Sequence, residues 1–158
     1  MVTVAKHAGA HRAKEVRHGF DDDARDARSS TFPVLNPPEL AWKPKDALPP
    51  GAFGAVVRGD PHEGPYAFFG RFPAKFTVPS HWHSNDVAVV MTQGAMVIEA
   101  EGAPARTIEQ GGYFFLPGQM RYVAKCALPC TFLAWGEKPF DIHYSDPKDD
   151  PRLKNAGR

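Results

Sequence analysis

The residues best suited to chemistry are two histidines in the stretch Pro79-Ser-His81-Trp-His83-Ser-Asn-Asp86. On a β-strand, residues i and i+2 project from one face with Cα atoms about 6.6 Å apart, so both imidazoles can meet one ion or one ligand. Zn, Fe, Mn and Ni all accept imidazole nitrogen, and residue type does not choose among them. The competing reading leaves His81 and His83 hydrogen-bonded inside a metal-free ligand pocket. Asp86 is adjacent but points to the opposite face of a regular strand, so it joins the pair only if a bulge re-aims it. His7 and His11 have the i, i+4 spacing of a helical metal pair, but they sit in a segment without an apolar face and read as part of a solvated arm. Cys126 and Cys130 flank Ala-Leu-Pro at a hairpin end, within reach of a disulfide, although a reducing compartment would keep them as thiols. Neither has a histidine base beside it to make a nucleophile.

The elements that must position these groups are short. From Phe32 to Gly51 the chain meets prolines at 33, 37, 38, 44, 49 and 50, which forbid a regular helix and leave extended lead-in segments. About ten β-type runs follow at 8 to 12 residue spacing, the mark of a sandwich or barrel: Phe53 to Arg58, Tyr66 to Phe69, Ala74 to Val78, Asp86 to Thr92, Ala95 to Ala100, Arg106 to Glu109, Gly112 to Leu116, Arg121 to Cys126, Thr131 to Trp135, and Phe140 to His143. Turn residues punctuate them, with Gln93-Gly94 between two hydrophobic strands and Gly111-Gly112 before an aromatic run. The expected organisation is an arm at 1–30, an all-β barrel domain at 31–144 and a polar tail at 145–158.

Composition narrows the function classes. The chain has 158 residues, 42% hydrophobic and 23% charged, which suits one domain with a single core. Lys plus Arg is 19 against Asp plus Glu 18, without the basic excess of a nucleic-acid binder. The longest aliphatic run, Val87 to Met91, is far short of the roughly 20 residues that span a bilayer. Residues 1–10 lack the apolar core of a secretory signal, so a cytoplasmic protein with no membrane partner is expected.

With Gly94 after the histidine pair, and Gly111-Gly-Tyr-Phe-Phe-Leu-Pro117-Gly118 further on, the chain resembles the cupin superfamily. The phrases "FPAKFTVPSHWHSND", "GGYFFLPG" and "PFDIHY" are similar to those of its small single-domain members, over roughly Leu48 to Asp150. The resemblance implies a jelly roll, the double-stranded β-helix, and a mononuclear metal, most often iron, held in the barrel. It also implies a homodimer. Two of the superfamily's four usual ligands are replaced: Val87 stands at the glutamate position and Tyr122 at the second-motif histidine. The expected metal set is therefore His81, His83 and Tyr122 as phenolate, with Gln119, Asn85 or water in further positions.

The implied function is a metal-dependent enzyme, an iron dioxygenase acting on a small apolar or aromatic molecule. The alternatives are a noncatalytic binding or sensing domain, and a lyase or isomerase using Tyr122 as catalytic acid or base. Val87, Val89 and Met91 are expected on the inner face, with Phe115, Met120, Phe132 and Trp135 on strands that contact the interior. Glu99, Tyr113 and Tyr122 are the candidate polar groups of the cavity. The absence of a phosphate-binding Gly loop or a cationic cluster on these strands disfavours a phosphosugar.

Overall fold

The computed structural model describes residues 33–155. The expected arm at 1–30, with His7 and His11, lies outside the described residues. Among them the chain forms two antiparallel sheets. The strands are β1 (Lys43–Pro44), β2 (Phe53–Gly59), β3 (Tyr66–Phe72), β4 (Phe76–Trp82), β5 (Val87–Gln93), β6 (Met96–Ala100), β7 (Arg106–Ile108), β8 (Tyr113–Leu116), β9 (Tyr122–Cys126), β10 (Cys130–Gly136) and β11 (His143–Tyr144). One sheet runs β1-β2-β3-β10-β5-β8 and the other β11-β4-β9-β6-β7. The fold is the expected jelly roll. No helix among the described residues is long and apolar enough to cross a membrane.

Alternation decides which side chains enter the space between the sheets. In β9, Tyr122, Ala124 and Cys126 are buried while Val123 and Lys125 are half-exposed, and β10 buries Cys130, Phe132 and Ala134 in the same rhythm. These residues join Val78, Val87, Val89, Met91, Met96, Ile98 and Leu116 in one core. Phe72 stacks on Phe76 at 4.5 Å between centroids and meets the edge of Phe132 at 5.1 Å, closing one end of it. Such aromatic pairs add about 0.5–1.5 kcal/mol each beyond the area they bury.

The turn between β5 and β6 depends on Gly94. Its φ is +71°, and a Cβ there would run into the Pro129 carbonyl and Cys130. Gly94→Ala adds about 1–2 kcal/mol of left-handed strain to that overlap, so a loss above roughly 2 kcal/mol is expected in urea unfolding. A loss under 0.5 kcal/mol would contradict this packing. Beside the turn, Cys126 and Cys130 are joined as a disulfide, with Cα atoms 6.3 Å apart. The closed loop has a sequence separation of only 4, for which chain entropy predicts a contribution of about 2 kcal/mol. Reduction with a phosphine should lower stability by about that amount; no change in the unfolding midpoint would overturn the assignment.

Beyond β11, the described part of the expected polar tail carries two short helical turns. A 3-10 turn at Pro147–Asp149 is capped by the Asp146 side chain, and a single helical turn, α1, covers Pro151–Asn155. Arg152 donates from Nη2 to the Ile142 carbonyl at 3.0 Å, which ties this turn to the barrel mouth.

Candidate functional site

The histidine pair reaches the interior through an irregularity in β4. Val78 pairs with Ala124 on β9, but the next pair is His81 with Tyr122: three residues advance on β4 against two on β9. Strict alternation from Phe76 and Val78 would aim His81 and His83 outward. The extra residue at Pro79-Ser80 reverses the parity, leaving His81 3% and His83 6% exposed. Tyr122, expected opposite them, is 6% exposed and lies in van der Waals range, with ring centroids 4.2 Å from His81. The three residues named as the site therefore meet on the wall of one cavity of about 540 Å³.

The hydrogen bonds determine the tautomers. A carbonyl can only accept, so His81 donates Nδ1–H to the Pro79 carbonyl at 2.7 Å, and His83 donates Nδ1–H to the carbonyl of Asp141. Each neutral ring thus keeps its lone pair on Nε2. His83 Nε2 accepts the Tyr122 hydroxyl at 2.6 Å, whereas His81 Nε2 has no hydrogen-bond partner among the described residues. Burial and the neighbouring His83 lower the His81 pKa to about 3. Burial also lowers that of His83, opposed by the Asp141 carbonyl and carboxylate. Burial raises the Tyr122 phenol far above its ordinary value, and Tyr66 and Tyr144 add to the shift. All three groups are neutral at pH 7.

Asp141, which nothing in the residue pattern singled out, supports the pair from the segment before β11. Its backbone oxygen holds His83, and its carboxylate accepts from Ser84 N at 2.7 Å and His143 Nε2 at 3.0 Å. Burial would raise its pKa, but the Ser84 and His143 bonds outweigh that and hold it below the usual value. The strand expected from Phe140 to His143 is confined to His143–Tyr144, and the Asp141 carbonyl that holds His83 lies just before it.

Several expected members of the site lie elsewhere. Asp86 is exposed and accepts from Gly118 N at 2.7 Å, the bulge having formed before the histidines rather than after them. Asn85 donates to the Pro139 carbonyl, and Gln119 is exposed at a left-handed turn. None of the three lines the cavity. Glu99 is on the outward face of β6, paired with Lys125 at 2.7 Å, and Tyr113 is 58% exposed. Phe115 and Met120 are exposed, and Trp135 is half-buried on an outer face, because Phe114, Leu116, Phe132 and Ala134 take the inward positions. The run Tyr113-Phe-Phe-Leu116 is apolar on both faces, so it carries no parity signal.

The donor set bears on the metal that the superfamily implies. Two neutral imidazoles and a protonated phenol offer no anionic ligand, and buried Val87 occupies the glutamate position. Among the described residues no three His, Cys, Asp or Glu side chains come together to hold an ion. A divalent cation here would sit in an apolar cavity with its charge uncompensated, at a desolvation cost of several kcal/mol. With His83 Nε2 taken by the Tyr122 hydroxyl and only His81 Nε2 left open, the residues as arranged do not fit a resident metal ion.

A family described as a domain of unknown function, DUF4437, matches residues 4–141, most of the chain. The chain belongs to the DUF4437 family. No curated protein matches this DUF4437 domain at a significant level. Among solved structures it is similar to an RmlC-like cupin from Ralstonia eutropha JMP134, with 18% identity, a TM-score of 0.60 and 76% of each chain covered. It is also similar to a protein named as a candidate acetylacetone dioxygenase from Methylibium petroleiphilum PM1, with 17% identity and a TM-score of 0.59 over 82% of this chain and 96% of that one. The polyketide cyclase RemF from Streptomyces resistomycificus has 11% identity and a TM-score of 0.63 over 80% and 94%. These likenesses show that the DUF4437 domain has the cupin fold. Its chemistry must be argued from its own site.

Proposed function

We propose that this domain takes a small, largely apolar molecule between its sheets and moves a proton on it, as a lyase or isomerase. The observation that carries the reading is the 2.6 Å hydrogen bond from the Tyr122 hydroxyl to His83 Nε2 on the wall of an apolar cavity. A phenol in that setting is a poor acid alone, but His83 can take its proton as it accepts another. The Tyr122 oxygen receives a proton from a substrate carbon next to a carbonyl, while its own proton passes to His83 Nε2. The electron pair left behind delocalises onto the carbonyl oxygen. Return of the proton to another carbon completes an isomerisation; in an elimination the enolate pair forms the new carbon–carbon double bond while the β-substituent leaves with the electrons of its own bond. The imidazolium formed at His83 keeps its Nδ1–H bond to Asp141 and gains from that residue's carboxylate. His81 Nε2, neutral and unpaired, accepts a hydrogen bond from the substrate.

A second reading, an iron-dependent dioxygenase with His81, His83 and Tyr122 as ligands, draws on the Nε2 lone pairs that both rings retain. It requires Tyr122 as phenolate. One experiment separates the two. Chelator-treated protein is analysed for metal and mixed in deuterium oxide with a series of aryl ketones from acetophenone to 4-phenylbutan-2-one. Deuterium incorporation beside the carbonyl, catalysed without metal, is the expected result. A full equivalent of iron in untreated protein, with a phenolate charge-transfer band and no wash-in after chelation, would overturn the proton-transfer reading. A cavity that binds the ketones without any wash-in would leave a binding domain instead.

A further inference from the structure

Among the described residues, one cation lines the cavity without a counter-charge: Lys45. Lys45 follows β1, and its backbone is pinned at the neck of the β1–β2 connection: its N–H donates to the Ala52 carbonyl at 3.1 Å, and its carbonyl accepts from Leu48 N at 3.0 Å. The side chain then crosses β2 over Gly54. A Cβ at Gly54 would overlap Lys45 Cε and lie 3.3 Å from Nζ. Gly54 does not have a positive φ, so its lack of a side chain is explained by space and not by backbone conformation. Its ladder partner on β3, Gly70, makes the same kind of room for the Phe132 ring. The glycine pair thus hollows the inner face of this sheet and admits a charged side chain on one strand and an aromatic ring on the other. Both Lys45 and Phe132 line the cavity shared with His81, His83 and Tyr122.

The other charged groups on this wall are already engaged or stand at the rim. Arg152 is held by Asp150 at 2.8 Å and by the Ile142 carbonyl. Asp141 is bound to Ser84 and His143. Asp60 and His62 are exposed, and the Asp60 carboxylate accepts from His62 N. Among the described residues, no carboxylate lies within ion-pair distance of Lys45.

We infer that Lys45 is the anchor for an anionic group and that the ligand is a small apolar carboxylate, its hydrocarbon body against Phe132 and its charge on Nζ. This deepens the proton-transfer reading, whose cavity it shares. A single unpaired lysine matches a monoanion; a phosphate ester would call for further donors that this wall lacks.

The test is equilibrium binding by titration calorimetry, using aryl carboxylates from benzoate to 4-phenylbutanoate, each beside its primary amide. At least one carboxylate should bind tenfold or more tightly than its amide. Lys45→Met, which keeps the apolar stem, should abolish that preference and leave amide affinity within about threefold. Gly54→Ala, which displaces the stem, should reduce the preference in an otherwise folded protein. The anchor is overturned if no carboxylate is preferred in the wild type, or if the preference survives Lys45→Met. Because binding and not turnover is read, a wild type that shows wash-in but prefers no carboxylate overturns the anchor alone. Loss of wash-in with the preference intact overturns the proton-transfer reading alone.

Discussion

Tyr122→Phe should abolish deuterium wash-in while leaving the domain folded and able to bind. The substitution removes one oxygen from a ring whose packing against His81, at 4.2 Å between centroids, does not depend on it. The structural penalty is the unpaired lone pair left on His83 Nε2, about 1–2 kcal/mol for a buried acceptor that loses its donor. The chemical penalty is far larger. Removal of a positioned acid–base group costs about 10²- to 10⁴-fold in rate, and among the described residues no second hydroxyl hydrogen-bonds His83 to replace it. A wash-in rate within threefold of wild type would show that proton transfer does not pass through Tyr122. The companion Tyr122→His removes the hydroxyl that occupies His83 Nε2 and supplies a third neutral imidazole where the phenol stood, so it should bind Zn more tightly than the wild type, whose residues do not fit an ion. If the wild-type phenol is instead a metal ligand, Tyr122→Phe weakens metal affinity and Tyr122→His gains little.

The pieces of this site differ in how far they were legible in the sequence, and the reasons are local against long-range. The strands could be read because each is a short run bounded by glycine, proline or charge, so that Val87–Gln93 and Tyr122–Cys126 fell within a residue of the expected limits. The meeting of Tyr122 with His81 and His83 was also legible, through the motif spacing that the cupin resemblance supplied. The bulge at Pro79-Ser80 was not. A proline inside a strand permits a bulge without requiring one, and its effect on parity is visible only once β9 is paired against it. Glu99 and Tyr113 were misplaced for a related reason: their strands give a parity, but only the partner sheet says which parity faces in. Lys45 and Asp141 lay beyond reach altogether, because both enter the cavity from connections whose course is set by distant pairings, Lys45 with Ala52 and Asp141 with His83.

Mild acid should unfold the domain through the same two histidines. His81 has a pKa near 3 in the folded state against 6.5 when exposed, and that of His83 is also lowered, both chiefly by burial. Below pH 6.5 the unfolded chain therefore binds protons that the folded chain refuses, and stability falls as pH falls. Above 6.5 both states hold neutral rings and the dependence vanishes. Each refused proton lowers stability by about 1.4 kcal/mol per pH unit, so His81 alone accounts for on the order of 5 kcal/mol between pH 6.5 and 3. A domain of ordinary stability, roughly 5–15 kcal/mol, cannot lose that amount and more from His83 without approaching its midpoint. Carboxylates do not confuse the window. Asp141 and Asp150 have lowered pKa values, so their contribution is present above their exposed value of 3.8 and is lost only as pH falls through and below it. Urea unfolding followed at intervals from pH 7 to 4.5 should show stability declining at 1 kcal/mol or more per unit, with His81→Gln removing about one proton's share of the slope. A flat profile over that range would mean that the two imidazoles are already charged or reached by solvent. The apolar wall on which the Tyr122 relay and the Lys45 anchor both depend would then be absent.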